Sequence, residues 1–314
     1  VVIGAGSCDR HLPDEEVRRL VVDGLAGLPL DGRRVLALIP DGTRTMPMPL
    51  LFGILSASLG PRAAALDFLV ALGTHQPMSD AQLGRLLGRP VTAGSSHGHR
   101  IFNHRWDLPE TFVTLGVIPA REIAELSGGR LERDVPVTLN RLLLDYDHLL
   151  ICGPVFPHEV VGFSGGNKYL VPGVAGREII DVTHWLGALL TSSAVIGAGY
   201  TPVRAVIDRA ASFVKRPVTC ISLVVTHAGV NGVFTGDPHE SWEAASALSA
   251  RTHITWVDRP FTRALSVMPE MYDDLWTAAK GMYKLEPAVA DGGEVVIFAP
   301  HITEVSYTHG RLID

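Results

Sequence analysis

Short apolar runs alternate along this chain with segments whose apolar residues recur every three or four positions. Residues 34–39 (RVLALI), 64–72 (AALDFLVAL) and 148–153 (HLLICG) have the length and continuity of strands buried on both faces. Between them, 14–26, 48–59, 79–87 and 176–190 read as helices. Pro13 and three acidic residues open the first, and Ser79 with Gln82 gives the third a capping box. Further on, 222–226 and 232–235 read as strands around a turn at 228–231, and 239–250 as a helix. Residues 254–258 open a second unit, continued by a helix near 272–282 and a strand at 294–299. The alternation predicts an α/β fold of two domains with mainly parallel sheets. The expected division is 1–252 and 253–314. Only about 60 residues follow Val257, marginal for an independent core. The second domain is therefore expected to be incomplete, and the chain, which lacks an initiator methionine, to be a piece of a longer protein.

Composition narrows the function classes. Of 314 residues, 46% are hydrophobic and 19% charged, which excludes a disordered chain. The net charge of −6 gives no global attraction to nucleic acid or anionic membrane. Cys8, Cys152 and Cys220 are far apart, without a C-x-x-C pair, so neither a disulfide scaffold nor a zinc ribbon is expected and a cytoplasmic location fits. The most apolar stretch, 185–200, is too short and too polar to span a membrane. Only four of the 27 basic residues are lysines: Lys168, Lys215, Lys280 and Lys284.

Three polar clusters follow three of the strand candidates directly. Asp41 to Arg44 follows the first, Gly73 to Ser79 the second and Pro157-His158 the third. Ligands of open α/β sheets bind beyond the carboxyl ends of the strands, so these clusters either assemble one site or serve as ordinary turns. The densest signal is 157–185, PHEVVGFSGGNKYLVPGVAGREIIDVTHW. Its glycines permit close backbone approach and anion-binding amide nests. A phosphate-binding G-x-x-x-x-G-K-[ST] loop does not fit, because Asn167 and Tyr169 occupy two of its fixed positions. A dinucleotide fingerprint at 2–9 lacks its third glycine, and Pro13 interrupts the helix that should follow. His97, His99 and His104, in a stretch that reads as loop, are either metal ligands or a supporting cluster, the second being favoured. The other histidines outside the motifs, His309 among them, carry no usable pattern.

The segments DGTRT (41–45), ALGTHQPMS (71–79), PHEVVGFSGGNKYLVPG (157–173) and DVTHW (181–185) resemble the nickel-dependent lactate racemase family. Residues 271–299 resemble the start of that family's C-terminal domain. The resemblance implies two α/β domains with the active site in the cleft between them, and an isomerase, a racemase or epimerase inverting C2 of a small-molecule 2-hydroxy acid. It implies a nickel-pincer nucleotide, a pyridinium mononucleotide with two sulfur-bearing arms, linked covalently through Lys168. His184 would complete the nickel coordination, and His75 and His158 would be the acid/base pair. Arg44 and Lys280 would hold the substrate carboxylate. Asp41, Thr43, Gly165 and Gly166 would lie beside the cofactor. Cofactor-biosynthesis proteins are implied as partners, so a heterologous preparation is expected to be empty where they are missing. The oligomeric state does not follow from the sequence.

The chemistry suits these residue types. Removing the C2 hydrogen as hydride avoids a carbanion beside a carboxylate. A base must then take the hydroxyl proton, and a proton donor on each face lets hydride return to either side, a task for histidines. Arginine clamps a carboxylate through two parallel hydrogen bonds, and neutral imidazole suits nickel. Thr277 stands where lactate-specific members carry a larger polar residue, and Trp185 and Trp276 flank the expected pocket. These departures point to a larger 2-hydroxy acid, a sugar acid or an aryl-lactate. Two other readings remain open at this point: a nicotinamide-dependent 2-hydroxy acid dehydrogenase, and a non-catalytic binding protein on the same fold.

Overall fold

The computed structural model describes residues 1–307 and 310–313; His309 lies outside them. An eight-stranded sheet organises the chain. Its order is Ile3–Gly6, Gly229–Gly236, Val218–Thr226, His148–Pro154, Arg34–Ile39, Ala65–Val70, His99–Asn103 and Ser95–Ser96. The five strands from Val218–Thr226 to His99–Asn103 run parallel. The pairings beyond them, two at one edge and one at the other, are antiparallel.

The parallel strands are apolar on both faces because both faces are covered. Leu36, Leu38, Leu149 and Ile151 enter one core with Ile179, Val182 and Leu186 of helix Arg177–Leu190 and Val203, Val206 and Ile207 of helix Pro202–Ala211. Val35, Ala37, Ile39, Leu150 and Cys152 enter the opposite core with helices Asp14–Ala26, Met48–Leu59 and Asp80–Leu87. Successive residues of one strand thus alternate between two cores, as the two-residue repeat requires. Helix Asp14–Ala26 buries Val17, Leu20, Val21 and Leu25, each contributing about 1.5–3 kcal/mol. A third cluster under helix Pro238–His253 joins Val155, Phe163, Val224 and Trp242.

Arg34–Ile39 lies between Ala65–Val70 on one side and His148–Pro154 on the other. The chain leaves its first parallel strand in one direction and later returns to its other flank. A crevice opens between loops at such a reversal, and all three polar clusters emerge there.

The expected helices and strands through residue 190 are present within one or two residues of their expected bounds, and the Ser79–Gln82 capping box is formed. The turn expected at 228–231 is tighter: the strands run to Thr226 and restart at Gly229. Residues 99–103 form a strand rather than loop, because pairing with Ala65–Val70 supplies the partner a short polar segment lacks alone. The hairpin Phe112–Ile118 with Val135–Asn140 and helix Pro202–Ala211 escape the sequence pattern. The hairpin is bulged between Thr114 and Gly116, and the helix carries a fully buried arginine, Arg204, on its inward face.

Beyond helix Pro238–His253, Phe261–Val267 pairs in parallel with Val289–Phe298. No strand forms at 254–258. The helix expected near 272–282 is two short ones, Leu275–Ala278 and Lys280–Tyr283, split at Ala279. Gly281 packs so closely on Met268 and Ser266 that a Cβ would lie 2.5 Å from each. This contact fixes the short helix that carries Lys280. Among the described residues no helix is long and apolar enough to cross a membrane.

Candidate active site

A cavity of about 460 Å³ lies at the carboxyl ends of the parallel strands, closed on one side by Asp274 to Tyr283. Asp41, Arg44, His75, His158, Gly165, Lys168, His184 and Lys280 all line it. They come from six separate segments between residues 41 and 280. Thr43 and Gly166 do not line it. Thr43 sits behind Asp41 and accepts a hydrogen bond from Arg44 Nη1 at 3.0 Å. Gly166 (φ +59°) packs under Trp242, where a Cβ would lie 3.0 Å from the Trp242 Cβ. Trp276 and Thr277 line the cavity, and Trp185 does not. The Thr277 hydroxyl is taken up by Asp274 Oδ1 at 2.5 Å.

The Asp41 carboxylate is saturated by the chain itself. Oδ1 accepts the Thr43 backbone N–H at 2.9 Å and hydroxyl at 2.6 Å, and Oδ2 meets His75 Nδ1 at 2.5 Å. Burial works against the charge, but His75, Arg44 and Thr43 outweigh it and hold the carboxyl well below its ordinary range. An ionised carboxylate only accepts, so His75 Nδ1 carries a proton and donates it to Asp41, which leaves Nε2 for the cavity. The His75 carbonyl is tied down by Trp106 Nε1 at 2.7 Å.

His158 has the opposite tautomer. Its Nδ1 accepts the backbone N–H of Val160 at 3.1 Å, which places the proton of the neutral ring on Nε2. Burial holds this imidazole well below its usual range; Glu159 opposes the shift, while Lys168, Lys280 and Arg44 add to it. One histidine of the cavity is therefore poised to accept a proton and the other to donate a hydrogen bond.

Lys168 reaches the cavity from a loop gripped from behind. Buried Arg204 donates to the carbonyls of Gly165 (3.0 Å) and Phe163. The Trp242 indole donates to the carbonyl of Ser164 at 2.9 Å and lies 4.3 Å under the Arg204 guanidinium. Asn167 donates to Asp208 at 2.9 Å. Three successive carbonyls thus face helices Pro202–Ala211 and Pro238–His253, and the glycine at 165 takes φ +82° to allow it. Among the described residues Lys168 forms no ion pair within 4.0 Å. Burial, with Arg44 as the next cause, pushes its amine down to about 7.

His184 sits on helix Arg177–Leu190, one turn after Ile180, whose carbonyl accepts from His184 Nδ1 at 2.8 Å. That bond fixes the tautomer and leaves Nε2 as a neutral nitrogen donor. Among the described residues no three His, Cys, Asp or Glu side chains group as a metal site. His99 Nδ1 bonds the Leu66 carbonyl, and buried His104 bonds Ala175 and Asn140. These two act as braces of the sheet. Any metal at His184 would need donors from a bound group.

Glu159 was not anticipated as a site residue, although it directly follows His158. It lines the cavity with Oε1 3.5 Å from Lys280 Nζ and Oε2 3.6 Å from His158 Nδ1. Arg204 was likewise missed; its contacts are 39 and 41 residues away in sequence.

The profile of the lactate racemase N-terminal domain family matches residues 22–197. The chain belongs to the lactate racemase family. The matched span holds every cavity residue named above except Lys280 and its neighbours. The chain is 24% identical over 188 residues to the lactate racemase of Thermoanaerobacterium thermosaccharolyticum, covering 57% of this chain and 40% of that protein. It is 22% identical over 281 residues to the lactate racemase of Lactiplantibacillus plantarum, covering 88% and 62%. The chain thus spans less than two thirds of the length of either curated relative. Among solved structures, a Thermotoga maritima protein superposes with a TM-score of 0.86 at 30% identity, covering 96% of this chain and 74% of that one. The apoprotein of the T. thermosaccharolyticum lactate racemase superposes with a TM-score of 0.75 at 19% identity, covering 93% and 68%. These likenesses agree with the α/β fold and its large, mainly parallel sheet.

Proposed function

We propose that the chain forms the catalytic part of a racemase or epimerase that inverts C2 of a 2-hydroxy acid, with a nickel-pincer nucleotide tethered to Lys168. The observation that carries this reading is the convergence on one cavity of an unpaired amine, an imidazole with a free Nε2, two imidazoles of opposite tautomer and two cations.

The residues fit such a group. Lys168, its amine pushed down to about 7, presents a substantial uncharged, nucleophilic fraction for a covalent tether. His184 Nε2 offers one nitrogen to nickel. When bound, the group would supply a hydride acceptor. The chain does the rest. Arg44 and Lys280 hold the substrate carboxylate. Asp41 keeps His75 Nε2 free to take the hydroxyl proton and stabilises the imidazolium that results. His158 Nε2–H faces the cavity as a donor. It is proposed as the counterpart of His75 for the other enantiomer. Lactate racemase family proteins thereby provide the frame, while the substrate proposed here is larger than lactate, with Trp276 as the changed wall.

We further propose that 1–252 and 253–314 are separate domains and that the cavity is the cleft between them. A nicotinamide-dependent dehydrogenase is less well supported, because Gly4 and Gly6 lie in an antiparallel edge strand and not at a strand-to-helix phosphate turn. A non-catalytic binding protein leaves the paired tautomers without a purpose.

The test is interconversion of single enantiomers of 2-hydroxy acids in deuterated water by protein co-expressed with cofactor-making enzymes. Racemisation or epimerisation with the C2 hydrogen retained is expected. Solvent deuterium at C2, or accumulation of a 2-oxo acid only when nicotinamide cofactor is added, would overturn the proposal.

A further inference from the structure

Three acidic side chains line the cavity, and two of them are committed. Asp41 is saturated by Thr43 and His75. Asp274 caps its helix, accepting from Thr277 N–H and Oγ1 through Oδ1 and from the Tyr307 backbone through Oδ2. Glu159 is different. Its side chain is only 12% exposed, yet its closest cations stand at 3.5 Å (Lys280) and 3.6 Å (His158, when protonated). Both separations exceed the roughly 2.7–2.9 Å of a committed charge-assisted hydrogen bond. The carboxylate therefore keeps acceptor capacity inside the cavity, its charge only partly offset by Lys280, the lysine that is proposed to meet substrate.

We infer that Glu159 is a specificity-determining residue that restricts the site to 2-hydroxy acids with a single carboxylate. The inference rests on the function proposed above. With the first carboxylate held by Arg44 and by Lys280, whose Nζ lies 3.5 Å from Glu159 Oε1, a second carboxylate one carbon beyond C2 stays within roughly 10 Å of Glu159. Like charges at that distance in a weakly screened interior still repel by roughly tenfold in affinity or more. A neutral chain end meets no such repulsion, and a hydroxyl there finds an acceptor.

The test compares 2-hydroxybutanoate with malate, which replaces its terminal methyl by a carboxylate. Binding of each to cofactor-loaded protein is measured by isothermal titration calorimetry for wild type, Glu159→Gln and Glu159→Asp. Wild type should prefer 2-hydroxybutanoate by roughly tenfold or more. Glu159→Gln should narrow that preference by a similar factor, mainly by gaining malate affinity, while Glu159→Asp, which keeps the charge, should retain it. A wild-type preference for malate, or an unchanged ratio in folded Glu159→Gln, would overturn the inference. If Glu159→Gln does not fold, loss of the preference in Glu159→Asp would do so. Failure of both acids, and of longer 2-hydroxy acids, to bind loaded wild type would instead overturn the proposed function.

Discussion

The state of the Lys168 amine is the most quantitative consequence of the cavity. Burial and the Arg44 charge push its pKa down to about 7. At pH 8 roughly nine tenths of such amines are unprotonated, against roughly 0.4% for a lysine at its ordinary value near 10.4. The pool of nucleophile is therefore roughly 200-fold larger. Limiting acetic anhydride, small enough for the cavity, should label Lys168 of cofactor-free protein with a pH midpoint near 7, read by peptide mapping. N-acetyl-lysine amide in the same tube is the reference. Arg44→Gln removes the second largest cause and should move the midpoint up. The sign carries into stability. Between about pH 7 and 10.4 the unfolded chain binds the proton that folded Lys168 has lost, so stability rises with pH across that window. Lys168→Met should flatten the rise. Labelling of Lys168 that tracks the reference compound at every pH would refute the reasoning, and an unmoved midpoint in Arg44→Gln would remove Arg44 from it.

Arg204→Leu should destabilise the protein by roughly 2–5 kcal/mol, since two buried carbonyls lose their donor while the cost of burying the guanidinium charge is relieved; an unchanged urea midpoint would contradict the clamp. Asp41→Asn should lower C2 inversion by the loaded enzyme by about 10²- to 10⁴-fold, because His75 loses its fixed tautomer. Cofactor loading, measured by mass, should persist in that variant. Asp67, bonded by Arg100 and Tyr146, has its pKa lowered: burial opposes the charge, but these partners prevail. Its stabilisation is present above the ordinary carboxyl range and is lost as pH falls through the depressed folded value. Asp67→Asn should therefore flatten the acid limb of the stability curve, and an acid limb as steep as wild type would count against it.

The parts of this fold legible in the sequence are those whose signal is local. Residues 34–39 are apolar throughout because both sheet faces are covered, and 14–26 repeats Val17, Leu20, Val21 and Leu25 on one side. Ser79 and Gln82 announce their helix by their own reciprocal bonds. What escaped depends on distant partners. The strand at His99–Asn103 exists because Ala65–Val70 offers an edge. Arg204 breaks the apolar face of its helix for the sake of carbonyls some 40 residues away. At the site, residue types and order were legible through the motifs, but the pairing of Asp41 with His75 across 34 residues was not. Nor was the opposite tautomer of His158, which one backbone amide decides. Glu159 lay inside a recognised motif and drew no role, since its meaning comes from Lys280 across the cavity.

The central claim is that Lys168 and His184 hold a nickel-bearing nucleotide in this cavity. Intact-protein mass with parallel nickel analysis, on protein co-expressed with cofactor-making enzymes, tests it directly. The account predicts a nickel-containing adduct that maps to Lys168 and disappears in Lys168→Ala, with nickel retention weakened in His184→Ala. A folded protein of unmodified mass and no nickel under that co-expression, or an adduct that survives Lys168→Ala, would contradict it.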